Sequence, residues 1–207
     1  MREVDGWIEL TGLNSYRVEA YAACCLFPRN VQELREALRP QPGQAVHLLG
    51  HGCNVILARK FYDASHRFVC TRQLETGIAV AGNAVRAGAG ARLRDLCRVA
   101  ARAGLSGLER LWDIPGSVGG AAYMNAGAYG ASVYEVADVT VYEPGADAVR
   151  TLPREACKPA YRLTAFQGGD AVIVAVRLRL NPADPATILA EMGRIGVTVN
   201  AIAPSAR

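Results

Sequence analysis

The chain has 207 residues, of which 51% are hydrophobic and 20% charged, so it carries enough apolar material for one ordinary domain or two small lobes and is not a disordered segment. Its formal charge of +4 is spread over scattered Lys and Arg with no basic run, which argues against nucleic acid as a partner while leaving an anionic ligand open. The opening "MREVDGWIEL" lacks the apolar stretch of a secretion signal, and no run approaches the roughly 18 apolar residues of a membrane span, so the expected compartment is the cytoplasm and no membrane partner is expected.

In chain order, "YAACCLF" (21–27) reads as a buried strand. "RNVQELREALR" reads as a helix, with Asn30 at the N-cap, Glu33 at capping-box spacing, and Val31, Leu34 and Leu38 on one face. "AVHLL" (45–49) reads as a strand entering "GHGCN", and "VILA" (55–58) as a strand leaving it. "GIAVAGNAVRAGAGA" holds a Gly82-Asn83 hairpin turn between alternating runs. "RLRDLCRVAARAG" (92–104) predicts an amphipathic helix closed by Gly104. "VADVTVYEP" and "AVRTL" predict two strands around a turn at Pro144–Asp147, "AVIVAVRLRL" (171–180) a central strand, and "ATILAEMGRI" a last helix. Strands and helices mix without strict βαβ alternation, so the expected class is α+β, divided near residue 75 into subdomains 1–75 and 76–182 and a short tail, 183–207.

The six cysteines, at 24, 25, 53, 70, 97 and 157, form no CxxC and no zinc spacing, so no metal is expected. "GHGCNV" and "GAGARL" begin like dinucleotide fingerprints but lack the third glycine, and there is no P-loop. In "LLGHGCNVIL", glycines let successive N–H groups point into one concavity, a nest for phosphate; a plain tight turn fits the same residues. "IPGSVGGAAYMNAGAYG" (114–130) holds five glycines and four alanines in seventeen positions. Pro115 and Ser117 sit where a helix begins, and a helix start presents unpaired N–H groups to an anion. The expectation is a long, flat, phosphorylated cofactor between two glycine-rich walls, one from each lobe; flavin adenine dinucleotide fits.

At these residues the chain resembles a known family. "NSYRV", "LLGHGCNVIL", "AGAGARLRDL", "AGLSGLERLWDIPGSVGGAAYMNAGAYG" and "YRLTAF" stand in the order and near the spacing of the UDP-N-acetylenolpyruvoylglucosamine reductases, over about residues 14–180. The resemblance implies a two-subdomain FAD-binding fold of the vanillyl-alcohol-oxidase type. It puts Gly50, His51, Gly52, Cys53 and Asn54 at the pyrophosphate. Ile114, Pro115, Gly116, Ser117, Gly119, Gly120, Asn125, Gly127, Ala128, Tyr129 and Gly130 then line the flavin. Arg162 of "YRLTAF" matches the family arginine that stabilises an enolate-like intermediate, and Thr164 stands for the family's serine. The family's third domain supplies a proton-donating serine in a Gly-Ser-x-Phe-Lys-Asn-Pro setting and a late glutamate, and nothing after residue 180 matches it. His51 and Cys53 replace smaller or acidic family residues, either filling space or bonding covalently to the flavin.

The expected activity is therefore an FAD-dependent oxidoreductase that transfers hydride at flavin N5 to or from a different, smaller substrate, with NADPH as a possible partner. The alternatives are the peptidoglycan-precursor reductase itself, truncated or completed by another chain, or a non-catalytic flavin-binding subunit. A homo-oligomer covering the exposed cleft is expected with it.

Overall fold

The computed structural model describes residues 3–4, 6–133 and 137–202, with side-chain surroundings given for 6–133 and 138–195. Val136, the first residue of the "VADVTVYEP" strand expected above, and Ser205 in the tail lie outside the described residues. The first half runs β1 (Glu3–Val4), β2 (Trp7–Glu9), β3 (Tyr21–Ala22), β4 (Cys25–Leu26), α1 (Val31–Ala37), β5 (Ala45–Leu49), β6 (Phe61–Tyr62) and β7 (His66–Cys70). The second half runs β8 (Ile78–Ala81), β9 (Ala84–Gly88), α2 (Leu93–Arg102), β10 (Leu105–Ser106), α3 (Val118–Tyr123), β11 (Gly127–Ala128), β12 (Ala131–Ser132), β13 (Ala137–Glu143), β14 (Ala148–Leu152), β15 (Val172–Arg179), β16 (Asn181–Pro182) and α4 (Pro185–Ile202).

The strands of the first and second halves build separate sheets. Strands up to Cys70 build a parallel β4-β7-β5 sheet and a small β1-β2-β3-β6 sheet, whereas β8, β9, β13, β14 and β15 build a five-stranded antiparallel sheet in the order β14-β13-β15-β9-β8, and β10-β16 and β11-β12 form two-stranded pairs. The apolar run of β15 lies at the centre of that sheet, with Val172 to Ala175 all buried, because a middle strand covered on both faces has no place for a polar side chain. The cores do not divide as cleanly. Leu34, Ala37, Val69 and Leu74 of the first half join the large cluster of the second, while Leu10, Ala20, Leu49, Tyr62 and Phe68 form a smaller one.

Local chemistry accounts for several elements. The Asn30 side chain accepts from the Glu33 N–H at 2.9 Å and Glu33 Oε2 accepts from the Arg29 N–H at 2.8 Å, so both ends of a reciprocal cap are present on α1. At the other end of α1, the buried Arg67 of β7 donates to the Ala37 and Arg39 carbonyls at 3.0 and 2.9 Å, satisfying groups that the helix leaves open. The Gly82-Asn83 pair makes a two-residue hairpin between β8 and β9. Two expectations change. "YAACCLF" splits into β3 and β4, which belong to different sheets. "VILA" forms no strand: Leu57 is buried and Val55 packs on the smaller core, but Ile56 is 72% exposed, so the segment anchors by side chains and has no ladder partner. The last helix also extends beyond "ATILAEMGRI", to Ile202.

Candidate functional site: two glycine-rich walls at the lobe seam

The first wall is the turn after β5. Its first three carbonyls are held. Arg72 donates from Nε to Gly50 O at 3.4 Å, from one terminal nitrogen to His51 O at 3.0 Å and from the other to Gly12 O at 3.2 Å. Ser15 donates to Gly52 O from its N–H at 3.0 Å and from its hydroxyl at 3.2 Å. The loop carrying Ser15 is itself fixed by the buried Asn14, which donates to Leu10 and Val18 carbonyls and accepts from the Val18 N–H at 2.9 Å.

The N–H groups of the same turn are not held. Among the described residues, those of His51, Gly52, Cys53 and Asn54 have no hydrogen-bond acceptor. Gly52 has φ +67°, and a Cβ there would stand 2.1 Å from Leu13 O, so only glycine permits this path. A turn whose carbonyls are drawn back and whose successive N–H groups are unpaired is a concave anion receptor.

The second wall behaves differently. Ser117 caps α3, accepting from the Gly120 N–H at 3.2 Å. Val118 N–H donates to Ala91 O at 2.8 Å, Gly119 N–H to Ala89 O at 2.9 Å and Ala121 N–H to Ser117 O at 2.8 Å. The start of α3 thus has none of these groups to give a ligand, contrary to the helix-start argument above; they stitch the helix to the β9–α2 connection. Gly119 is required by that packing, since a Cβ on it would lie 2.8 Å from the Ala89 Cβ. The free donors lie just before the helix: the N–H groups of Gly116 and of the buried Ser117 have no acceptor among the described residues.

The two walls touch. A Cβ on Gly50 would stand 3.1 Å from Ser117 Oγ, and one on Gly116 would stand 4.0 Å from Cys53 Sγ. The structure therefore brings His51–Asn54 and Gly116–Ser117 together across the seam, with the Ser117 hydroxyl against Gly50 and the Cys53 side chain against Gly116. Such a pairing suits a diphosphate, which needs several N–H donors from more than one direction.

The other predicted residues follow the chain away from this point. Ile114 packs against the large core; Pro115, Gly120, Tyr129 and Gly130 are exposed. Gly127 and Ala128 form β11, paired with Ser132 and Ala131, and a Cβ on Gly127 would stand 2.6 Å from Ala131 O. Asn125, at φ +41°, donates to Ala160 O at 2.8 Å, and its Oδ1 is buried without a partner. The "YRLTAF" loop is tied back by Thr164, whose hydroxyl donates to Tyr123 O at 2.8 Å, and by Gln167, which donates to Arg162 O at 3.0 Å. Arg162 is exposed, lies over the Tyr161 ring and donates to Gly127 O at 3.5 Å, so "YRLTAF" and "NAGAYG" adjoin.

Burial, then Arg72 and Arg92, push the His51 imidazole down to about 4, so it is neutral at ordinary pH; burial pushes the Cys53 thiol up. All six cysteines are free, and no cluster of metal-ligating side chains exists among the described residues. Sequence reasoning did not find Arg72, Asn14 or Ser15 as parts of the receptor: Arg72 reaches Gly12 across sixty positions, which no local pattern announces.

The chain is similar to known proteins. The family model described as "FAD binding domain" matches residues 22–151. UDP-N-acetylenolpyruvoylglucosamine reductase of Francisella tularensis is 33% identical over 78% of this chain and 56% of its own length, and reductase 2 of Bacillus cereus is 36% identical over 74% of this chain and 50% of its own. The chain thus spans about half the length of these relatives. The crystal structure of the reductase MurB from Thermus caldophilus superposes with a TM-score of 0.78 at 28% identity, covering 96% of this chain and 70% of that one. The Cu,Mo-CO dehydrogenase, at a TM-score of 0.58 and 16% identity, shares the fold alone. The chain resembles the reductases across both glycine-rich walls, its α+β architecture is that of their cofactor-binding part, FAD is the cofactor, and the chain belongs to the FAD binding domain family.

Proposed function

We propose that this chain is the flavin-binding part of a UDP-N-acetylenolpyruvoylglucosamine reductase activity, with NADPH as hydride donor. The expectation of a different, smaller substrate gives way to this alternative, because the relatives that match both glycine-rich walls carry the reductase name. The observation that supports it most is the pair of free donor sets, His51–Asn54 and Gly116–Ser117, in contact across the seam, with the Gly50, His51 and Gly52 carbonyls held by Arg72 and Ser15.

In this reading the first turn and Ser117 hold the diphosphate, and Ile114–Gly116 with Asn125–Gly130 bound the ring. FAD, when bound, supplies hydride acceptance and donation at N5. Asn125 fixes the "NAGAYG" bend against Ala160 while its free Oδ1 remains an acceptor for a ring N–H. Arg162 holds a permanent positive charge beside Gly127, where it stabilises negative charge developing on the substrate's enolpyruvyl group. Tyr161, 91% exposed, and Leu163, 52% exposed, flank that arginine and form the apolar surface on which a second copy of the chain would cover the cleft. No described helix is long and apolar enough to cross a membrane, and the proposed compartment is the cytoplasm.

Anaerobic stopped-flow of the purified flavoprotein tests the reading. NADPH is expected to bleach the visible flavin band and UDP-N-acetylenolpyruvoylglucosamine to restore it, with restoration slowed in Arg162→Met. A band that NADPH bleaches and small carbonyl acceptors restore, while the UDP-sugar does not, contradicts it.

A further inference from the structure

Residues 160–163 close a two-residue turn. The Ala160 N–H donates to Leu163 O at 2.9 Å and the Leu163 N–H to Ala160 O at 3.2 Å, so Tyr161 and Arg162 stand at its tip. Arg162 lies there in the left-handed region, at φ +54°, where an L side chain crowds its own backbone and glycine or asparagine is favoured. The far end of the side chain is loosely held. Among the described residues the guanidinium meets Gly127 O at 3.5 Å and the Tyr161 ring at 5.8 Å, and the residue is exposed. The arginine is therefore aimed from its base, and whatever fixes the base decides where the charge stands.

One amide fixes that base. Gln167 Nε2 donates to Arg162 O at 3.0 Å, and the same nitrogen reaches Tyr123 O at 3.3 Å and Met124 Sδ at 3.5 Å. Tyr123 is the last residue of α3 and Met124 its C-cap, so Gln167 ties the turn to a helix end, where carbonyls lack partners within the helix. Thr164 and Asn125 brace the flanks by donating to Tyr123 O and to Ala160 O, each at 2.8 Å; neither side chain bonds to the peptide of Arg162. The nearby Tyr129, also left-handed at φ +51°, is held by the same device, with Arg110 donating to its carbonyl at 3.0 Å. Strain of this kind persists where the surroundings over-determine it, and it gathers where a side chain is presented to a ligand.

We propose that Gln167 is the positioning residue of Arg162. Its amide holds the Arg162 peptide in the left-handed conformation and so fixes the direction from which the guanidinium meets negative charge on the substrate. Gln167 carries no charge, and its two amide hydrogens are shared among three protein acceptors, so it acts through Arg162 and not on the substrate. The catalytic half of this inference rests on the reductase reading above; the hold on the backbone does not.

Gln167→Met keeps the length of the side chain and removes both donors. In anaerobic stopped-flow of the flavoprotein, it is expected to slow restoration of the flavin band by UDP-N-acetylenolpyruvoylglucosamine about ten- to a hundredfold, the loss that a misplaced reacting group brings. Bleaching by NADPH is expected to stay within about twofold of the parent, which also shows that the variant is folded and loaded. Added to Arg162→Met, Gln167→Met is expected to slow restoration no further, which a merely structural role does not predict. The φ of Arg162, read from amide couplings and chemical shifts of the isotopically labelled flavoprotein, is expected to leave the left-handed region in Gln167→Met. An Arg162 that stays left-handed in the variant, restoration within twofold of the parent, or losses that multiply in the double variant overturn the proposal. A parent whose band the UDP-sugar fails to restore contradicts the reductase reading instead. The φ of Arg162 then decides on the hold of Gln167 by itself: release in Gln167→Met supports it and retention overturns it.

Discussion

The turn at 50–54 and the segment at 114–130 are both stripped of side chains, but for different reasons. In the first, carbonyls are tied to Arg72 and Ser15 and the N–H groups of His51 to Asn54 are left open. In the second, most N–H groups are already bonded to neighbouring backbone, and Gly119 and Gly127 are glycine because Ala89 and Ala131 leave no space for a Cβ. Gly116 and Ser117, ahead of the helix, match the first turn. Richness in glycine thus signals ligand contact in one wall and close packing of the protein against itself in most of the other.

Substitutions that separate affinity from stability sharpen this contrast. The largest effect is expected from Arg72→Met. It frees three carbonyls at once, so FAD affinity is expected to fall more than a hundredfold and stability by about 2–4 kcal/mol, each charged hydrogen bond being worth roughly 1.5–3 kcal/mol before solvent compensates. Equilibrium dialysis and urea unfolding read the two losses. If FAD binding survives, the first wall is not the receptor described here.

Gly119→Ala is expected to act through packing instead. It forces α3 off Ala89 at a cost of about 1–3 kcal/mol, visible in the flavin-free protein. Equal melting of parent and variant without flavin, with weaker binding, would mean that Gly119 meets the ligand after all. Ser117→Ala removes a cap and is expected to cost about 1 kcal/mol of stability. Its Oγ already serves Gly120, and its N–H is retained, so FAD affinity should change less than it does in Arg72→Met.

The last effect concerns pH. His51 is held down to about 4 by burial and by the two arginines, whereas in the unfolded chain it titrates near 6.5. Between those values the unfolded chain binds more protons, so stability falls as pH drops from about 6.5 to about 4 and levels off below. His47, lowered by burial and by His66, adds in the same direction. His51→Asn should flatten part of that slope in urea titrations taken across the range; an unchanged slope would show that the imidazole is solvated in the fold.

Much of this fold was legible in the sequence where the determining contacts are local. The α1 cap spans three residues, the Gly82-Asn83 hairpin two, and the α2 face repeats at helical spacing. "VILA" misled because an apolar run records burial, and here Leu57 is buried and Val55 partly so, without a neighbouring strand to pair. The site was legible as to where bare backbone lies. It was not legible as to which backbone groups are free, since that depends on Arg72, Ser15 and Ala91, remote residues whose roles appear only when the chain is folded.

The central claim is tested most directly by amide spectroscopy of the isotopically labelled, flavin-free protein during titration with ADP, which carries the diphosphate without the ring. The account predicts that the amide protons of His51, Gly52, Cys53, Asn54, Gly116 and Ser117 move as they gain an acceptor, while those of Val118, Gly119 and Gly120, already bonded, stay in place. Movement confined to 118–120, with 51–54 unchanged, would contradict it.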